Sequence, residues 1–335
     1  MPDAGVAICE LLWLAFVATS AGVHPPVFFI RPAMSPSPLI SHRAASADLA
    51  GMVRQARQRI FLQGDLPGFD VARQIELLLG LAESELGRFL LLYRGLNAEW
   101  THRLVTHQPG SGALAPLERV FYERLPAVLA TRERHGHFRR ALQRHLRPGC
   151  VAASVPCGWM SELLALDYSA CPGVQLVGID YDPEALDGAT RLAAGHPLAA
   201  QITLHRQDAW ALDTREGYDL LTSNGLNIYE PDDARVTELY RRFWQALKPG
   251  GVLVTSFLTP PPALSPDSPW DMQAIDPHDL QLQQLVFTRL IQPRWNALRT
   301  HAQTRAQLEE AGFTDLRFED DRARLFPTVI ARKPA

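Results

Sequence analysis

The stretch Leu176-Val177-Gly178-Ile179-Asp180-Tyr181-Asp182-Pro183-Glu184-Ala185-Leu186 limits the folds open to this chain more than any other. An apolar run ends in an acid, and a helix start follows at once. Asp182 suits an N-cap and Pro183 the first helical position. The pattern predicts a strand feeding a helix, with Asp180 at the strand's carboxyl end. In open α/β sheets ligands bind along that edge, and an acid there holds ribose hydroxyls. A nucleotide-like cofactor is therefore expected.

From Arg147-Pro148-Gly149 onward, strand and helix patterns alternate as in parallel βαβ units. Strands are expected at 150–155, 175–180, 202–206, 218–222 and 252–258. The helix from Pro183 should end near Gly195. A helix over 234–247 carries Val236, Leu239, Tyr240, Phe243, Trp244 and Leu247 on one stripe, and Asp232 and Asp233 favour its start through the dipole. Residues 259–292 interrupt the alternation with an insert that opens on Pro260-Pro261-Pro262 and ends in a helix bearing Leu282, Leu285, Val286 and Leu290. Thr304 with Gln307 reads as a capping box, and Gly312 closes that helix. Two last strands, 316–319 and 327–332, have too short a connection for a crossover and should form an antiparallel hairpin.

The part before residue 147 is helical in pattern. Val71, Ile75, Leu78, Ala82, Leu86, Phe89 and Tyr93 mark one face of a helix over 71–93. A second helix starts near Pro116, with Leu117, Val120, Phe121 and Leu125 on one face, and Pro126 kinks or restarts it. Arg132, Arg134, Arg139, Arg140, Arg144 and Arg147 read as a solvated helix face. Three divisions follow: an extension or disordered segment over 1–45, a helical cap region over 46–147, and an α/β domain over 148–335. Leu11 to Thr19 has the length of a signal-peptide core, but Asp3 and Glu10 precede it and no Lys or Arg does. Met34 is a candidate start.

The formal net charge of -3 offers no basic surface for nucleic acid. Cys9, Cys150, Cys157 and Cys171 form no CxxC pair, which argues against a disulfide framework or a zinc site. A cytoplasmic location and no membrane partner are expected.

Five short motifs in order carry a family resemblance. Gly178-Ile179-Asp180 ends the second strand, Gln207-Asp208-Ala209 follows the third, and Tyr218-Asp219-Leu220-Leu221 forms the fourth. Leu247-Lys248-Pro249-Gly250-Gly251-Val252-Leu253 leads into the fifth, and Ala311-Gly312-Phe313 precedes the sixth. Over 150–333 the chain resembles class I S-adenosylmethionine-dependent methyltransferases. The resemblance implies an α/β fold, a seven-stranded Rossmann-like methyltransferase sheet with a terminal antiparallel hairpin, here preceded by the helical region. The departure lies in the first loop, Ser154-Val155-Pro156-Cys157-Gly158-Trp159-Met160. Ser154 stands for the family's acid, Pro156 for its first glycine and Met160 for its last, and only Gly158 is retained. Pro156 lacks an N–H, and Met160 adds bulk near the helix start.

The resemblance implies S-adenosylmethionine as cofactor, held by Ser154, Pro156, Cys157, Gly158, Asp180, Tyr181, Asp208, Ala209 and Asn224. Asp180 would accept from both ribose hydroxyls. Asp208 would accept from the adenine amino group, with the Ala209 N–H meeting a ring nitrogen. Gly158 would let the loop approach the methionine portion. Tyr181 either packs on the adenosine or covers the sheet edge. Asn224 either positions substrate or the methionine carboxylate, or turns the chain with Gly225. Tyr229 and Glu230 either face substrate or simply precede the next helix. Ser223 to Glu230 resembles the Asn-Pro-Pro-Tyr box of nucleic-acid amino-methylating enzymes only in part, since both prolines are absent.

The implied reaction is methyl transfer to a small-molecule acceptor through O, N or C. The alternatives are a protein or RNA methyltransferase, or a silent module that keeps the fold for binding. A nicotinamide dehydrogenase fits worse, for the glycine fingerprint is missing. No catalytic residue is assigned; His278, His301, Asp271 and Asp276 are candidates in or beside the insert. The helical region and the insert are expected to cover the strand ends, with Trp159, Trp270, Trp295 and Phe287 as candidate pocket walls.

Overall fold

The computed structural model describes residues 48–112, 114–293 and 297–335. The expectations for residues 1–45, Cys9, Met34 and Trp295 lie outside the described residues. The helical part holds α1 (Leu49–Gln63), α2 (Val71–Glu83), α3 (Glu85–Tyr93), α4 (Ala98–Thr106), α5 (Pro116–Glu123) and α6 (Pro126–His145). Then come β1 (Val151–Ser154), the single turn α7 (Ser161–Leu164), β2 (Gln175–Asp180), α8 (Pro183–Ala193), β3 (Ile202–Arg206), β4 (Tyr218–Ser223), α9 (Asp233–Ala246) and β5 (Leu247–Ser256). The chain closes with α10 (Pro277–Leu285), α11 (His301–Glu310), β6 (Thr314–Glu319) and β7 (Thr328–Arg332).

The sheet runs β3-β2-β1-β4-β5-β7-β6. Its first five strands are parallel, and β7 pairs antiparallel with both β5 and β6. The expected seven-stranded Rossmann-like sheet with a terminal hairpin is what forms. Strand order reverses between β1 and β4, which opens the ligand crevice at their carboxyl ends. Both faces are buried, as parallel strands require. Ala153, Ile179, Leu221 and Leu253 pack on one side with α9 and α11. Their neighbours Ala152, Leu176, Leu220 and Val252 pack on the other with Phe138, Ala141 and Leu142 of α6. The alternation follows the two-residue period of a strand.

One buried acid joins two of the five motifs to the start of β1. Asp219 of β4 accepts from the Val151 N–H at 2.9 Å, from Arg147 at 2.6 Å and from Lys248 at 2.7 Å. The turn into β1 and the turn into β5 are thereby tied to the strand between them.

Local chemistry moves several boundaries. The helix expected over 71–93 is two helices, α2 and α3. Ser84 between them is extended, and its Oγ accepts from the Gly87 N–H at 2.9 Å, a cap that apolar periodicity does not register. Pro126 restarts the chain as α6 and does not kink α5. The capping box falls one turn earlier than expected, on Thr300 and Gln303; Thr304 lies inside α11, fully buried. β5 begins at Leu247, because Leu247 already pairs with Tyr218 across a register shift.

The arginine row is not a uniformly solvated face. Arg134 is 6% exposed and donates to Ser256 Oγ, and Arg132 donates to the Tyr122 carbonyl. Arg144 and Arg147 pair with Glu319 and Asp219. The insert is also placed differently. Leu282, Leu285, Val286, Leu290 and Ile291 join the core of the helical region, together with Ile60, Leu78, Leu81 and Leu91. Arg289, 1% exposed, latches it there by donating to Gly64 O and Gln74 Oε1. The insert completes the helical bundle and leaves the strand ends to other elements.

Burial pushes the Asp219 carboxyl up, but Lys248, the Val151 N–H and Arg147 outweigh it and hold it below the ordinary carboxylate value. The two cations are part-exposed, so the buried hydrogen bonds carry most of the strength. Asp219→Asn is expected to lower stability by about 2 kcal/mol, read from the denaturant midpoint. A carboxyl depressed below its unfolded value of about 3.9 stabilises fully above about pH 5 and loses that contribution as pH falls through the folded value. The gap between wild type and D219N should therefore close in acid; a gap independent of pH would sink this account.

Candidate active site

The loop after β1 is stitched to the end of β2. The Cys157 N–H donates to the Ile179 carbonyl at 2.8 Å, and the Gly158 N–H donates to Asp180 Oδ2 at 2.9 Å. Met160 takes the left-handed conformation, at φ 56°, at the position where the family has glycine. That strain costs about 1–2 kcal/mol for an L residue. Full burial of the side chain contributes about 1.5–3 kcal/mol and offsets it. The Met160 side chain lies under β2: a Cβ on Gly178 would stand 2.8 Å from Met160 Sδ and 3.1 Å from Cys157 Sγ. Its bulk is thus directed into the core and away from the crevice, contrary to the expectation from sequence.

Trp159 turns the other way. It lies against α8 so closely that a Cβ on Gly188 would fall 1.8 Å from its Nε1. His102 of α4 lies against it, ring centroids 4.9 Å apart and tilted by 33°, and shares a 2.7 Å hydrogen bond with Ser161 Oγ through Nδ1. In this way α4 closes over the loop. Asn97 caps that helix through its side-chain oxygen, at 3.0 Å from the Trp100 N–H.

Between the loop, α4 and the carboxyl ends of β1, β2 and β4 lies a cavity of about 270 Å³. Of the residues expected to hold a cofactor, Pro156, Cys157, Gly158, Asp180, Tyr181, Asp208, Ala209 and Asn224 all line it. Ser154 does not; it is fully buried behind the wall.

At the outer end, Asp208 Oδ1 accepts from the Trp210 N–H at 3.0 Å, and Trp210 Nε1 donates to the Arg235 carbonyl. Arg235 lies over the Trp210 ring and pairs with Glu230 at 2.8 Å. Arg206 lies over Tyr181, which is 40% exposed. In the middle, Asp180 accepts the Asp182 N–H on Oδ1 and the Gly158 N–H on Oδ2. Burial pushes its carboxyl up while those two N–H groups pull it down. One lone pair on each oxygen remains for a ligand.

The inner end holds Glu162, His102, His135, Asn224 and Tyr229. His135 is 6% exposed and its Nδ1 has no hydrogen-bond partner. Burial first, then Arg139 and Arg134, push it down to about 4, so it is neutral at pH 7. Burial and Arg103 also lower His102. Asn224 Oδ1 is buried without a partner, and burial raises the Tyr229 phenol. Sequence reading singled out none of His135, His102 and Glu162 as site residues. The helical pattern gave no reason to aim either histidine at the strand ends.

The candidates in and beside the insert lie elsewhere. Asp271 and Asp276 cap their own short helices, His278 stacks on Phe69, and His301 pairs with Asp320. Trp270 donates to Thr259, and Phe287 packs against the helical core. Among the described residues, no group of three His, Cys, Asp or Glu is placed to hold a metal ion. No described helix is long and apolar enough to cross a membrane.

Comparison with known proteins bears on the same region. Residues 154–251 match a methyltransferase domain family. Among solved structures, a possible exported protein from Bordetella parapertussis is 96% identical, with a TM-score of 0.86 over 90% of this chain and 100% of that one. The S-adenosylmethionine-dependent methyltransferase SibL is 17% identical, with a TM-score of 0.49 over 79% of this chain and 75% of its own. Human N-acetylserotonin methyltransferase is 20% identical, with a TM-score of 0.45 over 86% and 66%. No curated protein matches. Residues 154–251 belong to a methyltransferase domain family, and the strand order around them is that of the class I, Rossmann-like methyltransferase fold, with a variant first loop.

Proposed function

We propose that this protein transfers a methyl group from S-adenosylmethionine to a small-molecule acceptor. One observation carries the reading: two carboxylates, the loop glycine and a neutral histidine whose Nδ1 has no partner meet in one cavity that α4 closes. A lid of that kind suits a small acceptor better than a protein or RNA chain.

The lining fits the cofactor. The remaining lone pairs of Asp180 suit the two ribose hydroxyls, in charge-assisted bonds. Asp208, one of whose oxygens is held by Trp210, keeps acceptor capacity for the adenine amino group, with the Ala209 N–H beside it. Tyr181 offers a ring face to the base. Pro156, Cys157 and Gly158 form the floor under the sulfur-bearing portion, and the departures at Pro156 and Met160 leave that floor open. Ser154 contributes only from behind the wall.

The cofactor supplies an electrophilic methyl group when bound. The protein has to align the acceptor and exclude water. An acceptor hydroxyl or amine forms the new bond to carbon, the carbon–sulfur pair stays on sulfur, and the acceptor's proton needs a base. We assign that task to His135, which lines the inner end and is neutral. We place the reaction in the cytoplasm, a reducing compartment in which thiols such as Cys150, Cys157 and Cys171 persist. The competing placement comes from the 96% identical protein described as a possible exported one, and cell fractionation separates the two.

Calorimetric titration should show wild type binding S-adenosylmethionine and S-adenosylhomocysteine, and Asp180→Ala weakening both at least about tenfold, the worth of a charge-assisted hydrogen bond. A folded wild type that binds neither would replace the enzyme reading with that of a binding module. With labelled methyl donor and a panel of phenols, amines and carboxylic acids, His135→Asn should lower kcat by about 10²–10⁴-fold. Its affinity for S-adenosylhomocysteine should stay within about twofold of wild type. Because the base must be neutral, wild-type activity should hold through neutral pH and fall as pH drops through about 4. Unchanged turnover in H135N would remove His135 from the mechanism.

A further inference from the structure

The family's acid at the end of β1 is Ser154 here, yet a carboxylate still stands at that place. Ser154 Oγ donates to Glu162 Oε1 at 2.6 Å, and Glu162 reaches back from α7 into the cavity wall. Glu162 is 4% exposed and forms no ion pair among the described residues. Arg134 is the cation in electrostatic range, but it bonds Ser256 and stacks on Phe326. A buried carboxylate without an ion-pair partner is expensive to keep and is repaid by an opposite charge. Asn224 lines the same cavity, and its Oδ1 is buried without a donor. The lining of the inner end therefore presents a carboxyl group and an orphaned acceptor together, with no lysine or arginine beside them.

We infer that Glu162, held by Ser154, binds the α-ammonium of the cofactor's amino-acid portion, with Asn224 Oδ1 as a second acceptor. This rests on the reading of the cavity as an S-adenosylmethionine site. An ammonium carries three donors and no acceptor, which matches what the two side chains lack. Burial raises the Glu162 carboxyl, opposed by Ser154, and an arriving cation would stabilise its charged form. The carboxylate missing from the loop is thus supplied from the next helix, eight residues on.

The test compares S-adenosylhomocysteine with 5′-methylthioadenosine, which keeps the adenosine and the thioether but has no amino-acid portion, by calorimetry on the full chain. Glu162→Gln should weaken S-adenosylhomocysteine at least about tenfold and leave methylthioadenosine within about twofold. Equal weakening of both, or of neither, overturns the inference while the cofactor reading stands. Wild type that binds neither ligand overturns both. A second arm needs no variant: on wild type, the decarboxylated analogue of S-adenosylhomocysteine, which keeps the amine, should retain most of the affinity. The deaminated analogue should lose as much as E162Q does. The reverse order would place the carboxylate at this end and end the proposal.

Discussion

The site depends on the hydrogen bond from the Gly158 N–H to the Asp180 carboxylate, with its companion from Cys157 to Ile179. Together they pin the loop after β1 onto the end of β2 and fix where the crevice floor lies. Asp180 is held in turn by the Asp182 N–H, and Asp182 caps α8. One acid therefore orients a loop, a strand end and a helix start, and still has lone pairs facing the cavity. The packing agrees. Met160 and Cys157 press from below on Gly178, and Trp159 presses sideways on Gly188, so neither glycine admits a side chain.

This arrangement explains how the fold accepts a first loop with one of its usual glycines. The left-handed turn needed at position 160 is kept, and burying the methionine beneath β2 offsets its strain. The lost acid leaves a serine whose hydroxyl hands the contact to Glu162. The three departures belong to one rearrangement of the loop, in which bulk goes to the core and charge returns from α7. The cavity above is left open.

The helical part has two tasks. Its bundle, completed by the insert through Arg289, Leu285 and Leu290, forms a core of its own. Its ends serve the sheet: α6 packs on one sheet face and carries Arg134 and His135 towards the inner end of the cavity, and α4 forms the lid. Among the unpartnered polar atoms of the described residues, His135 Nδ1 and Asn224 Oδ1 belong to side chains that line this cavity. In a packed interior such atoms mark a place built for something else.

The sequence alone determined the sheet, since apolar runs ending in acids, the proline and glycine turns and the caps are local signals. Asp180 at the end of β2, Asp182 and Pro183 at the start of α8, and the terminal hairpin were all legible. Eight of the nine residues expected to hold a cofactor line one cavity, because they lie at strand ends, where a parallel sheet gathers ligand contacts. Only the tertiary structure decided the rest. Met160 points away from the crevice because β2 offers Gly178 above it. Ser154 gives way to Glu162 because one turn of helix brings that carboxylate back. The insert joins the helical bundle because its apolar face finds partners there. His102 and His135 reach the cavity from helices α4 and α6, far from the loop in sequence, and no spacing along the chain encodes a meeting that helix-to-sheet packing creates.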